Sequence, residues 1–173
     1  STPGQLPTQV AYLPQHPVSS HTLPLCVQDV VAMGRFAHLG LFKRSTDADR
    51  AIVLESMKRT GIDSQANDPI RDLSGGQQQR THLAQVLARR AEVLLLDEPT
   101  AGLDLNGRKA VAELIATERA RGVTVVLATH ELADAESANV VMLLAQRVVS
   151  LGAPAEALRD EYLRECFGFT QPH

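Results

Sequence analysis

The sequence predicts an α/β fold with a mainly parallel sheet and an additional helix-rich segment. Two apolar runs of strand length, Val93–Leu96 and Val123–Ala128, alternate with stretches of helical periodicity after residue 90. The second run is almost wholly apolar, which is typical of a parallel strand buried on both faces. Residues 18–72 are instead rich in predicted helix. We therefore expect a sheet-containing core and a separate helical subdomain.

The segments before residue 73 are predicted to be one strand, two helices and a polar loop. In order, these are Val10–Leu13, Val27–Arg35, Thr46–Gly61 and Asp63–Asp72. The second helix has the clearest start, because Thr46 is followed three residues later by Asp49, an arrangement that resembles a capping box. Gly61 is the expected end of that helix.

The second half of the chain is predicted to alternate between helices and strands. The helices are Gly76–Arg90, Leu105–Arg121, Glu131–Ser137, Glu156–Asp160 and Tyr162–Phe167, and the strands are Val93–Leu96, Val123–Ala128, Val140–Ala145 and Arg147–Ser150. Gly122 is expected to stop the longest helix. The charged residues near its end, Glu118, Arg119 and Arg121, are interpreted as a solvated helix face.

Composition indicates one globular domain and argues against several classes of protein. The chain has 173 residues, a net charge of −3 and two cysteines far apart in sequence, Cys26 and Cys166. The charge does not favour nucleic acid as a partner, and free thiols are typical of a reducing compartment. No apolar run approaches the roughly 20 residues that span a bilayer. We expect a cytoplasmic protein that does not itself cross a membrane.

The stretch Leu73–Gln77, Leu-Ser-Gly-Gly-Gln, opens a predicted helix and is a candidate phosphate-binding site. Ser74 is a predicted N-cap, and Gly75 and Gly76 place no Cβ between their N–H groups and an approaching anion. A helix N-terminus carries unpaired N–H groups and the positive end of the helix dipole, which favour phosphate. The alternative is an ordinary Gly-Gly helix start.

Two carboxylates follow the strand Val93–Leu96 and form a second candidate site. Asp97 lies at the carboxyl end of a predicted buried strand, where open α/β sheets bind ligands, and could hold Mg²⁺. Glu98 is the candidate for polarising an attacking water. The alternative is a simple acidic turn after a core strand.

These blocks, in this order, resemble the ATP-binding cassette (ABC) ATPases. Five motifs match: Gln15 the Q-loop, Leu73–Gln77 the signature, Val93–Glu98 Walker B, Ala101–Asp104 the D-loop and His130 the switch histidine. The resemblance implies a partial P-loop NTPase (RecA-like) parallel sheet core with an inserted α-helical subdomain. Residues 18–72 would be the subdomain, and residues 1–17 and 73–173 the ATPase core.

The resemblance also implies roles for individual residues, with ATP and Mg²⁺ as cofactors. Glu98, His130 and Gln15 would be catalytic, and Asp97 and Gln15 would bind the metal. The residues that would contact ATP are Ser74, Gly75, Gly76, Gln77 and Asp104. Without the resemblance, His130 would be a structural histidine, Asp104 a helix N-cap and Gln15 a surface residue.

A Walker A loop, which needs Gly-Lys followed by Ser or Thr, is absent from the sequence. None of the eleven glycines is directly followed by a lysine. The chain thus resembles the carboxyl-terminal two-thirds of a nucleotide-binding subunit. We expect it to bind and hydrolyse ATP poorly alone, and to be able to complete a site on a partner that carries Walker A.

Within the family, the segment Val27–Arg35 resembles importers of metal ions or metal chelates. The resemblance to manganese, zinc and iron importers rests on Gln77–Arg80, Ala101–Asp104 and Glu165–Gly168, with ferric-siderophore importers as the second choice. The implied partners are a transmembrane permease and a second nucleotide-binding subunit, identical or not, at the inner face of the membrane. Two other functions stay open: a soluble ATPase acting on DNA or ribosomes, and a degenerate cassette with a regulatory role.

Overall fold

The computed structural model describes residues 9–15, 24–36 and 45–168, in two compact units that divide between Ala128 and Thr129. The first unit contains β1 (Val10–Leu13), α1 (Val27–Met33), α2 (Asp47–Thr60), α3 (Gly75–Ala88), β2 (Val93–Asp97), α4 (Leu105–Ala120) and β3 (Thr124–Ala128). The second contains α5 (Leu132–Glu136), β4 (Val141–Leu144), β5 (Val148–Gly152), α6 (Pro154–Ala157) and α7 (Asp160–Phe167). Within the described ranges, no helix is both long and apolar enough to span a bilayer.

The first unit has the parallel sheet that the sequence predicts. Its three strands lie in the order β1-β2-β3, and each neighbouring pair is parallel. The register places Val10 beside Val93 and Val93 beside Thr124, so the three strands end at the same edge. In the second unit, β4 and β5 form an antiparallel hairpin. The α/β class is therefore confirmed.

The prediction that Val123–Ala128 is buried on both faces is wrong. Val125 and Leu127 pack against the core, but Val126 is 54% exposed. The physical reason is that β3 is an edge strand of a three-stranded sheet, and α3 and α4 pack on the same face as Val125 and Leu127. The second face of β3 is therefore exposed, although the strand is apolar.

Local capping signals place the helix ends. The Thr46 hydroxyl accepts a hydrogen bond from the N–H of Asp49, and Gly61 ends α2 with a left-handed φ of 66°. Gly122, at φ 86°, follows the end of α4. The predicted polar loop Asp63–Asp72 instead contains two short 3₁₀ turns, because Ile70 is buried and its N–H bonds the carbonyl of Leu25 at 3.0 Å.

Helix α3 separates two hydrophobic clusters in the first unit. Leu83 and Leu87 face the sheet and α4, whereas Ala84 and Ala88 pack with α1 and α2. Residues of α1 and α2 thus pack with α3 in a cluster apart from the sheet, and the helical subdomain stays a prediction. Residues 18–23 and 37–44 of that predicted subdomain lie outside the described residues.

The interpretation of Glu118 as part of a solvated helix face is wrong. Its side chain is 11% exposed and accepts a hydrogen bond from Arg59 of α2 at 2.5 Å. Arg121 also contacts Glu118, at 3.3 Å. A carboxylate this deeply placed is stabilised only when it is paired, so this ion pair joins α2 to α4.

A second buried ion pair, between Arg35 and Asp49, joins three helices. Arg35 Nε donates to Asp49 at 3.0 Å, and its Nη1 donates to the carbonyl of Ala88 at the end of α3. Asp49 also accepts from the hydroxyl and the N–H of Thr46, at 2.6 Å and 3.0 Å. These hydrogen bonds, the Thr46 hydroxyl first, lower the pKa of Asp49 to about 2.

We expect Asp49 to make stability pH-dependent in acid. Because its pKa falls from 3.8 to about 2 on folding, its charged form stabilises the native state above pH 4, and this contribution is lost as the pH falls toward 2. Urea unfolding of the wild type and of Asp49→Asn from pH 7 to pH 2.5 should show a stability difference that shrinks below pH 4. A difference that stays constant would contradict the assignment.

Candidate functional site

The start of α3 leaves two glycine N–H groups unpaired. The Ser74 hydroxyl accepts from the N–H of Gln77 at 3.3 Å, and the Ser74 N–H donates to the Gln77 side chain at 2.9 Å. The predicted N-cap is therefore confirmed, as a reciprocal capping box. Among the described residues, the N–H groups of Gly75 and Gly76 have no hydrogen-bond partner. They are the two donors that this helix start offers to an anion.

The surroundings of these glycines differ. A Cβ at Gly76 would lie 3.4 Å from Leu103 Cδ2, whereas a Cβ at Gly75 would meet no atom within 4 Å. Gly75 is also exposed. Packing in the described residues therefore gives no reason for glycine at position 75.

The turn after β2 holds Glu98 in an unusual backbone conformation. Glu98 has a φ of 45°, in the left-handed region that a glutamate occupies at a cost of about 1 kcal/mol or more. Its N–H donates to the carbonyl of Ala128 at 2.9 Å, and its carbonyl accepts from the N–H of Ala101 at 3.0 Å. Asp97, the last residue of β2, pairs with Ala128 and is half-buried.

Gln15 and Glu98 are brought together at the carboxyl edge of the sheet. Gln15 Nε2 donates to Glu98 Oε2 at 3.0 Å. The contact follows from topology, because β1 and β2 are parallel neighbours, Gln15 comes two residues after β1 and Glu98 comes directly after β2. The bond uses the amide nitrogen of Gln15 and leaves its Oε1 as an acceptor for a cation.

Asp104 is the N-cap of α4, as one of its two readings predicted. Its Oδ1 accepts from the N–H of Gly107 at 2.8 Å. The preceding residue, Leu103, is buried, and its Cδ2 lies 3.4 Å from the position that a Cβ of Gly76 would take. The start of α3 and the turn before α4 therefore lie close together.

His130 belongs to the second unit, two residues after the end of β3. Its Nε2 lies 3.6 Å from Glu131 Oε1, and its side chain is 66% exposed. The preceding Thr129 is tied to α5 through a 2.9 Å hydrogen bond from its hydroxyl to Asp134. His130 is not among the site residues that the first unit brings together, and its role stays a prediction.

Asp97 and Gln15 fit a magnesium ion better than a metal that needs a full set of protein ligands. Within the described ranges, no group of three or more His, Cys, Asp or Glu side chains could hold a metal. Magnesium takes one or two carboxylates together with water and phosphate oxygens. A half-buried carboxylate and an amide oxygen at the ends of neighbouring strands suit that chemistry.

One residue of this region, Gln79, was not predicted from the sequence. Gln79 is 6% exposed, and its Nε2 donates to the carbonyl of Pro99 at 3.1 Å, directly after Glu98. A signal was present, because Gln79, Leu83 and Val86 share one helical face and a polar residue on an apolar face needs a buried partner.

A family model and similar known proteins indicate the same family for this chain. A family model described as ABC transporter matches residues 2–101. The manganese transport system ATP-binding protein MntB of Halalkalibacterium halodurans is 36% identical over 160 residues, which cover 92% of this chain and 64% of that protein. The hemin import ATP-binding protein HmuV of Streptomyces coelicolor is 41% identical over 166 residues, which cover 94% of this chain and 58% of that protein.

Solved structures agree with these relatives. A structure assigned to the metal-chelate type of ABC transporter, in an inward-facing conformation, has a TM-score of 0.82 and 29% identity. The match covers 92% of this chain and 64% of that one. The chain thus spans about three-fifths of the length of the curated relatives that it matches, 64% and 58% for the two above.

Proposed function

Because the chain belongs to the ABC transporter family, we propose that it forms part of the ATP-binding subunit of an importer and lends the tip of α3 to a shared nucleotide site. The observation that carries this proposal is the capping box of Ser74 and Gln77, which leaves the N–H groups of Gly75 and Gly76 for a phosphate. In this family, the signature of one subunit meets the ATP that the other subunit holds.

The turn after β2 supplies the groups for phosphoryl transfer to water. Asp97 and Gln15 would hold Mg²⁺, which neutralises charge on the phosphates when it is bound. Glu98 would accept a hydrogen bond from the attacking water and orient it, and its contact with Gln15 at 3.0 Å keeps its carboxylate at the sheet edge. His130 would contact the γ-phosphate, and Asp104 would reach across the interface between subunits.

The chain is proposed to need partners for activity. None of its glycines is directly followed by a lysine, so these 173 residues contain no loop of the Walker A type to bind the β- and γ-phosphates. Alone, it would therefore bind ATP weakly and turn it over negligibly. In a complex, it would pair with a second nucleotide-binding subunit and dock on a transmembrane permease through residues 18–72, at the inner face of the membrane.

The proposed cargo is a metal ion or a metal chelate. Relatives named for manganese and for hemin cover almost the same part of this chain, at 36% and 41% identity. The net charge of −3 gives no support to a nucleic-acid partner. Co-purification with a permease, and not with DNA or ribosomes, would separate this function from that of a soluble ATPase. A ferric-siderophore cargo and a regulatory cassette without activity remain the alternatives.

Pairing with a full-length relative tests the proposal. The relative should carry a Gly-Lys-Ser or Gly-Lys-Thr loop, and glutamine at the position that matches Glu98, so that it holds ATP without cleaving it. Sedimentation should show a mixed pair with this chain in MgATP, and separate proteins in EDTA. If the relative pairs with itself in MgATP but never with this chain, the proposal is wrong.

A further inference from the structure

A buried side chain connects the start of α3 with the residue that follows Glu98. Gln79 is 6% exposed, and its Nε2 reaches the carbonyl of Pro99 at 3.1 Å across 20 residues of sequence. Pro99 is itself fully buried. A hydrogen bond between two buried groups is costly to lose, because each group then has no hydrogen-bond partner from water or from the protein.

This hydrogen bond acts on a turn that holds an unfavourable conformation. Glu98 keeps its φ of 45° only while the backbone on both sides of it is fixed. On one side its N–H is bonded to Ala128 O, and on the other Ala101 N–H is bonded to Glu98 O. The bond from Gln79 fixes the peptide group between these two points, at Pro99.

The same two segments also lie close together at Gly76. The position that a Cβ of Gly76 would take lies 3.4 Å from Leu103 Cδ2 and 3.7 Å from Gly102 O. Gly76 is one turn before Gln79 on α3, and both contacts reach the segment between Glu98 and Asp104. The Gln79 hydrogen bond therefore fixes this segment to α3, and Gly76 marks a second place where the two lie close together.

We propose that Gln79 is a positioning residue for Glu98, acting through the Pro99 carbonyl so that the Glu98 carboxylate follows the position of the α3 tip. The role in catalysis rests on the proposed function, because only there does Glu98 orient a water. The positioning itself concerns the isolated chain. Gln79→Met keeps the length of the side chain and removes its donor.

Gln78 provides a matched control on the same helix. Its Nε2 also donates to backbone carbonyls, those of Ile70 and Leu73, both at 3.2 Å. Gln78→Met therefore removes the same kind of bond from α3 without touching the turn after β2. If the two variants lose comparable global stability, a change at Glu98 that only Gln79→Met shows is due to positioning and not to a general weakening of the helix.

The position of Glu98 can be read from the side-chain amide of Gln15, its hydrogen-bond donor. In ¹⁵N-labelled chain without nucleotide, Glu98→Ala defines the chemical shift of the unbonded Gln15 amide. We expect Gln79→Met to move the shift at least halfway to that value and to speed amide exchange at Glu98 and Ala101 by about tenfold. Gln78→Met should leave both unchanged.

Wild-type shift and exchange in Gln79→Met would overturn the inference, as would equal changes in the Gln78→Met control. The measurement needs neither ATP nor a partner. A failure of mixed pairing would therefore count against the proposed function alone, and a failure here would count against the role of Gln79 alone.

Discussion

Gly75→Ala is expected to weaken ATP-dependent pairing strongly while leaving the fold intact. A Cβ at this position would meet no protein atom within 4 Å, so the free energy of unfolding should stay the same or rise by less than about 1 kcal/mol. The methyl group would instead enter the open space beside Gly75, which the proposed function assigns to a phosphate. Because the methyl group would keep a phosphate away from the preorganised N–H groups, we expect pairing to weaken about 100-fold, the effect that one such donor has in enzymes.

Gly152→Ala is the control for this variant. A Cβ there would first meet Glu156 Oε2 at 3.3 Å, the end of a flexible side chain, and the residue lies in the second unit. It should pair with the relative in MgATP as the wild type does. Wild-type affinity in Gly75→Ala, measured by sedimentation over a concentration series, would show that nothing approaches this glycine.

Gly34→Ala is expected to have the opposite profile, with a large loss of stability. Gly34 ends α1 at a φ of −57°, which alanine adopts freely, so the backbone conformation is not the obstacle. A Cβ would lie 2.2 Å from the carbonyl oxygen of Gln85 in α3, and 3.2 Å from Ala88 Cβ. Because a backbone atom blocks the space, α1 must move away from α3, at a cost of about 3 kcal/mol or more.

Denaturant unfolding compares Gly34→Ala with Gly75→Ala directly. Both variants add one methyl group at the end of a helix, so their composition is the same and only the surroundings differ. The midpoint for Gly34→Ala should fall strongly, and that for Gly75→Ala should not fall at all. A Gly34→Ala midpoint within error of the wild type would mean that α1 and α3 do not pack as closely as described.

Features that depend on neighbouring residues could be predicted from the sequence. The capping boxes at Thr46 and Ser74 close within three residues, so the residues themselves determine the geometry. The resemblance assigned Gln15 and Glu98 to one site but implied no contact between them, and their hydrogen bond depends on the parallel order of β1 and β2.

Features that depend on distant residues could not. The burial of Glu118 requires Arg59, which is 59 residues away on α2. The exposure of Val126 reflects which face of β3 the helices cover, and an apolar run carries no information on that point. The positive φ of Glu98 comes from backbone bonds to Ala128 and Ala101.

The central claim is that the tip of α3 touches the terminal phosphate of an ATP held by another subunit. Orthovanadate takes the place of that phosphate and, under ultraviolet light, cuts the backbone that it contacts. In a mixture of this chain, the full-length relative, MgADP and orthovanadate under ultraviolet light, mass spectrometry should find this chain cut within Leu73–Gln77. Cuts confined to the relative, or cuts in this chain only outside that segment, would contradict the claim.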